Sequence, residues 1–163
     1  MNARDAIKLN LNTANMICQS YLADLSDSDL LVRPVPGANH IAWQLGHLLV
    51  AEHGMMELAF PGSMPALPAG FAERYTNDTC KLDSASGFHT KAEYLKIAEQ
   101  LRTATVQVLD KQSDADLDKP APEKYKEWLK SMGELFSMQG GHWLMHGGQW
   151  AIVRRKLGKK PLF

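Results

Sequence analysis

The chain has 163 residues, enough for one domain with a sizeable core, and 45% of them are apolar. Its 18 Lys and Arg residues balance its 18 Asp and Glu residues, which argues against nucleic acid or a membrane surface as a partner. Two cysteines are too few for a disulfide framework, and the first residues lack the apolar run of a signal peptide. We therefore predict one cytoplasmic domain over residues 1–163.

Four segments show the helical period of apolar side chains. The predicted helices cover residues 2–25, 39–59, 90–112 and 131–157. The third and fourth begin with capping-box patterns, Thr90–Glu93 and Ser131–Glu134, and Gly158 is placed to end the fourth. A strand pattern is absent. The sequence therefore predicts an all-α four-helix bundle.

The connector between the second and third helices, residues 60–89, is rich in Pro, Gly and Ser. Such a long loop in a small domain is usually a crossover, a lid or both. We therefore predict a bundle with one long crossover between helices 2 and 3. We also expect this connector to close a substrate cavity, with Phe71 and Tyr75 supplying apolar contacts.

The segments that follow the first and third helices, 25–37 and 111–123, share a pattern. Each reads Ser-Asp-x-Asp-Leu, then a basic residue and Pro-x-Pro. The pattern indicates a weak internal repeat of two helix pairs, although loops that end helices favour Ser, Asp and Pro in any case. Under either interpretation the second and fourth helices occupy equivalent places.

Two of the six histidines, His142 and His146, lie four residues apart on the predicted core face of the fourth helix. This spacing places both imidazoles on one face, where they can share a metal ion. His47, in the middle of the second helix, is the predicted third ligand of a His₃ site with an open coordination position. The alternative is that these are core or interface histidines with hydrogen-bond partners. We predict that His40, His53 and His89 are not ligands.

Several polar and aromatic residues accompany these histidines. Three glutamines lie three residues from a histidine and are predicted to hydrogen-bond to the ligands: Gln44, Gln139 and Gln149. Three tryptophans lie close to them in sequence and are candidates to line or fill a cavity: Trp43, Trp143 and Trp150. No carboxylate stands out as a general base, since Glu52 and Glu57 do not share the helix face of His47.

Two functional classes are disfavoured by local sequence. The segment His142 to His146 has zincin spacing but lacks the glutamate after its first histidine, so a peptidase would lack its general base. The basic segment 154–160, RRKLGKK, suits a solvated helix end better than a nucleic-acid site, because aromatic residues do not interleave with it.

The glycine pairs Gly140-Gly141 and Gly147-Gly148 are seven residues apart and share one side of the fourth helix. We expect them to clear space beside the histidines for a ligand or another backbone. On this interpretation Gly147→Leu would impair metal occupancy or assembly more than folding.

The blocks NHIAWQLGHLLVAEH (39–53) and GHWLMHGGQWAIVRRKLGKKP (141–161) resemble those of the DinB/YfiT-like superfamily of metalloenzymes. The resemblance implies a four-helix bundle in which histidines at His47, His142 and His146 hold a divalent metal. This chain has a histidine at each of the three ligand positions. Zinc is the expected ion, and nickel or iron would also suit imidazole ligands.

The resemblance further implies a small-molecule substrate, a low-molecular-weight thiol as a candidate co-substrate, and a homodimer. The expected chemistry is hydrolysis or thiol transfer, in which the metal would activate a water or a thiol. A non-catalytic metal-binding or dimeric scaffold is the alternative.

Overall fold

The computed structural model describes residues 1–163, and its long helices follow the predicted segments. The five helices are α1 (Ala3–Leu22), α2 (Ile41–Ala59), α3 (Lys91–Asp110), α4 (Asp114–Leu117) and α5 (Met132–Lys156). Four of them are long, α4 is a single turn, and there is no strand, so the predicted all-α bundle with a crossover between α2 and α3 is confirmed. None of the helices has both the length and the apolar character needed to span a membrane.

The predicted capping signals form at both helix starts, one of them only in part. Thr90 and Glu93 make a complete capping box at α3. At α5 the Ser131 hydroxyl accepts a bond from the Glu134 amide, but the Glu134 carboxylate accepts its bond from the amide of Lys130 instead. Gly158, with φ of 72°, follows the end of α5 in the left-handed conformation that glycine tolerates best.

The two similar segments form the same local structure. Ser26 and Asp29 exchange two bonds, each side chain accepting from the other residue's amide. Ser113 and Asp116 exchange the same two bonds. Each motif begins a short helical turn, and α4 is the longer version of it.

The core consists of two apolar clusters with polar side chains between them. The larger cluster includes Trp150 and Tyr94, and the smaller includes Phe136 and Met56. Between them along the helices lie buried polar residues, which bond to one another and to Arg102: Glu52, Thr105 and Gln139. Helix α1 packs mainly along α5, and α2 packs against α3 and α5.

The four paired glycines of α5 divide into two sets. A Cβ atom on Gly140 would overlap the side chain of Asn10, and one on Gly147 would lie 3.2 Å from Sγ of buried Cys18. These two glycines therefore let α1 approach α5, whereas Gly141 and Gly148 have open space beside them. The expectation for Gly147→Leu is corrected accordingly: a large side chain there would first disturb the α1–α5 packing.

The crossover between α2 and α3 packs against the N-terminal half of α2. The ring of Tyr75 occupies the place that a Cβ atom on Gly46 would need. The guanidinium of Arg33 fixes this segment by donating to the carbonyls of Cys80 and Leu82 and to the carboxylate of Asp83. These contacts hold the crossover against α2.

Candidate metal centre

Three histidines from two helices meet at the seam between α2 and α5. His47 of α2 and both His142 and His146 of α5 each offer a ring nitrogen, and these nitrogens lie within 4.8 Å of one another. The ring centroids are 5.0 to 5.6 Å apart. The structure thus brings together the three residues that the sequence singled out, and three imidazoles so placed can hold a metal ion.

Helical spacing accounts for the arrangement on each side of the seam. The four-residue interval puts His142 and His146 one turn apart on α5. On α2, His47 lies one turn after Trp43, and the two rings stack almost in parallel at 5.0 Å with an angle of 7°. The indole of Trp43 is itself held by its Nε1, which donates to the carbonyl of Thr76. The orientation of His47 is therefore supported from one face.

The amide of Gln44 determines which nitrogen of His146 carries the proton. Trp150 Nε1, which can only donate, lies 2.7 Å from Gln44 Oε1, and Gln44 Nε2 lies 2.7 Å from the carbonyl of Asn39. These two partners fix the amide orientation. His146 Nδ1 is 3.2 Å from the same Oε1, so it must be the donor. His146 then keeps an unprotonated Nε2, the form that binds metals.

The electrostatic setting keeps the three rings neutral. Burial lowers the pKa of His47. Burial, followed by the charges of the neighbouring histidines, lowers the pKa of His142 and of His146 to about 4. Neutral imidazole is the ligand form, so metal binding here does not first require removal of a proton from a cationic ring. The donor set of three nitrogens fits a borderline ion such as zinc.

An open groove of about 780 Å³ borders His47 and His142. Its lining contains no carboxylate. Seven of its twelve lining residues are hydrophobic, which is typical of a small-molecule site. The volume also falls in the range of such sites, roughly 300–1,000 Å³. The two groove histidines are partly exposed, whereas His146 is buried behind them.

The three glutamines have different places. Gln44 contacts His146 directly. Gln149 accepts from Gln44 Nε2 at 3.0 Å with its Oε1, and its side-chain hydrogen bond to His146 partly offsets the lowering of that histidine's pKa. Gln139 has no hydrogen bond to a histidine. Its amide donates to the carbonyl of Leu135 at 2.8 Å and lies 3.5 Å from the sulfur of Met55. The structure therefore assigns Gln139 to the buried polar residues between the two core clusters.

The predicted aromatic candidates lie mostly in the core. Phe71 and Tyr75 are 1% and 4% exposed, and neither lines the groove at the histidines. The expectation that the connector closes this groove with these two side chains is thus corrected, because both are used to pack the crossover onto α2. Trp143 and Trp150 are also buried and pack edge to face, with centroids 6.3 Å apart.

The remaining histidines lie outside the three-histidine cluster. His40 caps α2, its Nδ1 accepting from the Trp43 amide and its Nε2 bonding to the carbonyl of Leu82. His89 bonds through Nδ1 to the hydroxyl of Tyr75. The side chain of His53 makes no hydrogen bond, and this residue of α2 serves below as a control position.

The carboxylates of α2 and most of the basic side chains at the end of α5 form hydrogen bonds or ion pairs within the protein. Glu52 accepts from Arg102 at 3.1 Å and from Thr105 at 2.9 Å, and Glu57 accepts from the amides of Gly62 and Met64. Within the basic segment, Arg154 pairs with Asp24 and is 3% exposed. Lys156 and Lys159 donate to main-chain carbonyls. These partners account for the basic segment as a structural helix end.

Sequence reasoning missed one wall of the groove. Lys124, Tyr125 and Trp128, from the segment between α4 and α5, line it together with the histidines. The signal that pointed to this segment was slight: two large aromatic residues in an otherwise polar, proline-containing stretch.

The family model of the DinB superfamily matches residues 11–150 of this chain. The chain belongs to the DinB superfamily. The matched residues of this DinB-superfamily protein run from α1 to Trp150 and include all three clustered histidines. Among curated proteins, no match to the chain was found.

Proposed function

We propose that this DinB-superfamily protein is a metal-dependent enzyme that acts on a small molecule, with zinc held by His47, His142 and His146. The single observation that carries the proposal is an open groove of about 780 Å³ bordered by two of the three clustered histidines. A purely structural metal site is normally closed, whereas a catalytic site keeps access for a further ligand.

The chain's own residues supply orientation and an apolar surface beside the histidines. Gln44 holds His146 with its Nε2 unprotonated, and Trp43 supports the face of His47. The apolar lining lowers the local dielectric constant, which strengthens electrostatic interactions in the groove. A divalent ion held by three neutral imidazoles keeps its full positive charge and favours the anionic form of a donor group that reaches it.

Between the two candidate reactions, the structure favours thiol transfer over hydrolysis. The groove lining contains no carboxylate that could act as a general base. A free thiol, with a pKa of about 8.5, is already close to ionisation at neutral pH, whereas free water, with a pKa of about 15.7, depends on the metal to bring its pKa down to about 7. A low-molecular-weight thiol therefore suits a site that lacks such a base.

The homodimer expected from the family resemblance stays a prediction.

The alternative of a filled, non-catalytic scaffold receives less support. It would require the three tryptophans to fill the space at the histidines, and Trp143 and Trp150 instead pack within the larger core cluster. The exposed Met145 and Trp128 leave the groove open.

Metal content tests the site. Protein purified without an affinity tag and dialysed against zinc is expected to hold one equivalent by elemental analysis. His47→Ala, His142→Ala and His146→Ala should each lose most of it. His53→Ala, which changes a histidine of α2 outside the cluster, is the matched control and should retain it. Stoichiometric zinc that survives His142→Ala unchanged would refute the assignment.

Access to the metal tests the enzyme against the scaffold. Cobalt-substituted protein should change its visible spectrum on addition of azide or a small thiol, because a further ligand alters the coordination of the ion. A spectrum that both additives leave unchanged would favour the scaffold.

A further inference from the structure

The groove at the histidines leaves large apolar side chains open to solvent. Trp128 is 53% exposed and Met145 is 59% exposed, and both line the groove. Three methionines contribute to the lining, and their flexible, polarisable side chains adapt to apolar ligands of varied shape. When an apolar group covers such a surface, apolar area is removed from water and the free energy of binding becomes more favourable.

The lining of the groove contains a basic residue but no acidic one. Lys124 is the only permanently charged residue of the lining, and no acidic residue faces it from there. Its neighbour Lys126 pairs with Glu123, but Lys124 forms no ion pair in the structure. An anionic group entering the groove would therefore find one cation without an acidic partner, Lys124, whose Nζ lies 5.5 Å from the centroid of the Tyr125 ring, and no carboxylate in the lining.

We propose that the groove binds a small molecule with an aromatic or other apolar body and one anionic group, the body lying against Trp128 and Met145 and the anion beside Lys124. This rests on the proposed function, because the groove is taken to be the substrate site of the metal centre. To that function the inference adds the chemical class of the substrate. A second copy of the chain that covers this groove with its own groove is a less suitable occupant, because the lining has no acidic residue to pair with Lys124 of the other copy.

The probe for this site is 8-anilinonaphthalene-1-sulfonate, which carries an aromatic body and one sulfonate and fluoresces more strongly in apolar surroundings. N-phenyl-1-naphthylamine has the same aromatic body without the charge. Native protein should bind one equivalent of each. Trp128→Ala should weaken both by about tenfold, since the aromatic contact is shared. Lys124→Gln should weaken the binding of the sulfonate dye only, by about three- to fivefold.

Lys126→Gln is the matched control for charge. It removes an exposed lysine of the same segment that does not line the groove, and sulfonate binding should stay within experimental error of wild type. Near-ultraviolet circular dichroism of each variant ensures that the dye reports the groove of a folded protein. Equal weakening by Lys124→Gln and Lys126→Gln would overturn the proposal, as would unchanged binding in Trp128→Ala. Sulfonate binding lost on dimer formation at higher protein concentration would overturn it too, because a second copy would then cover the groove.

Titrations of metal-free and zinc-loaded protein separate this inference from the metal assignment. Zinc stoichiometry in Lys124→Gln should equal that of wild type, because Lys124 lies outside the histidine cluster. Normal zinc binding without charge-selective dye binding would refute the substrate class alone. Charge-selective dye binding without zinc would instead refute the proposed function.

Discussion

His146 Nδ1 and Gln44 Oε1 lie 3.2 Å apart, and the same oxygen accepts the indole N–H of Trp150 at 2.7 Å. A single buried amide thus connects α2 to two side chains of α5. The orientation of this amide is fixed, because its nitrogen donates to the carbonyl of Asn39 and to Oε1 of Gln149.

The first prediction concerns this amide. Gln44→Leu should lower zinc affinity by about 10- to 100-fold, because His146 loses the acceptor that sets its tautomer. It should also lower the free energy of unfolding by about 1–3 kcal/mol, since two buried donors are left unpaired. Competition with a chromophoric chelator measures the affinity, and urea unfolding measures the stability.

Trp150→Phe is the control for that experiment. It removes one donor and keeps the bond between Gln44 and His146, so stability should fall while zinc affinity stays within a few-fold of wild type. Equal zinc affinity in Gln44→Leu and wild type would show that Gln44 does not position His146.

The second prediction compares two glycines of α2. Gly46→Ala should destabilise the fold by about 1–3 kcal/mol, because the added methyl group meets the ring of Tyr75, which is buried and bonded to His89 and Tyr94. Gly54→Ala adds the same methyl group in open space and should stabilise by about 0.5–1 kcal/mol. Thermal and urea unfolding of both variants provide the check. Stabilisation by Gly46→Ala would contradict the described packing of the crossover.

The third prediction concerns the buried ion pair of Glu52 and Arg102, whose side chains are 2% and 16% exposed. Arg102→Leu should cost about 3–5 kcal/mol, since it leaves a carboxylate in the core with only the hydroxyl of Thr105 as partner. The double variant Glu52→Leu with Arg102→Leu should be clearly more stable than Arg102→Leu alone. A double variant that loses the sum of both single effects would mean that the two groups are not coupled.

The fourth prediction is acid destabilisation of the metal-free protein. Burial lowers the pKa of five histidines: His40, His47, His89, His142 and His146. The unfolded chain, with histidine pKa values of about 6.5, therefore binds protons before the folded chain does. Their contribution to stability is complete above about pH 6.5. It is lost as the pH falls towards the folded pKa of about 4 of His142 and His146.

Urea unfolding at several pH values between 8 and 4.5 measures this loss. His142→Gln should show a shallower decline than wild type, because one proton-binding group is removed. Stability that rises on acidification, or a pH profile that is identical in the two proteins, would contradict the prediction.

The long helices were predictable because each carries its information locally. Periodic apolar positions and the Thr90–Glu93 capping box are properties of neighbouring residues, and α3 begins at Lys91 as the box requires. The short helix α4 was not predicted as a helix, because four residues are too few to show a period. Which amide donates to the Glu134 carboxylate depends on the incoming chain at Lys130, which local pattern does not determine.

The candidate site was predictable to the extent that it follows helix spacing. The interval between His142 and His146, and the equivalent position of His47, are visible in the sequence. The roles of Gln139 and of Phe71 are not, because the first depends on which neighbour that face of α5 meets and the second depends on the path of the crossover. The contribution of Lys124 and Trp128 to the groove depends on the path of an irregular segment, for which no period exists.

The parallel stacking of Trp43 on His47 places an indole within 5.0 Å of a candidate ligand. The face of an indole responds to positive charge near it. Any event that brings charge to His47, whether a proton or a cation, should therefore alter the emission of Trp43. The protein thus contains an intrinsic fluorescent reporter of its own histidine cluster, and a Trp43→Phe variant would identify that share of the signal.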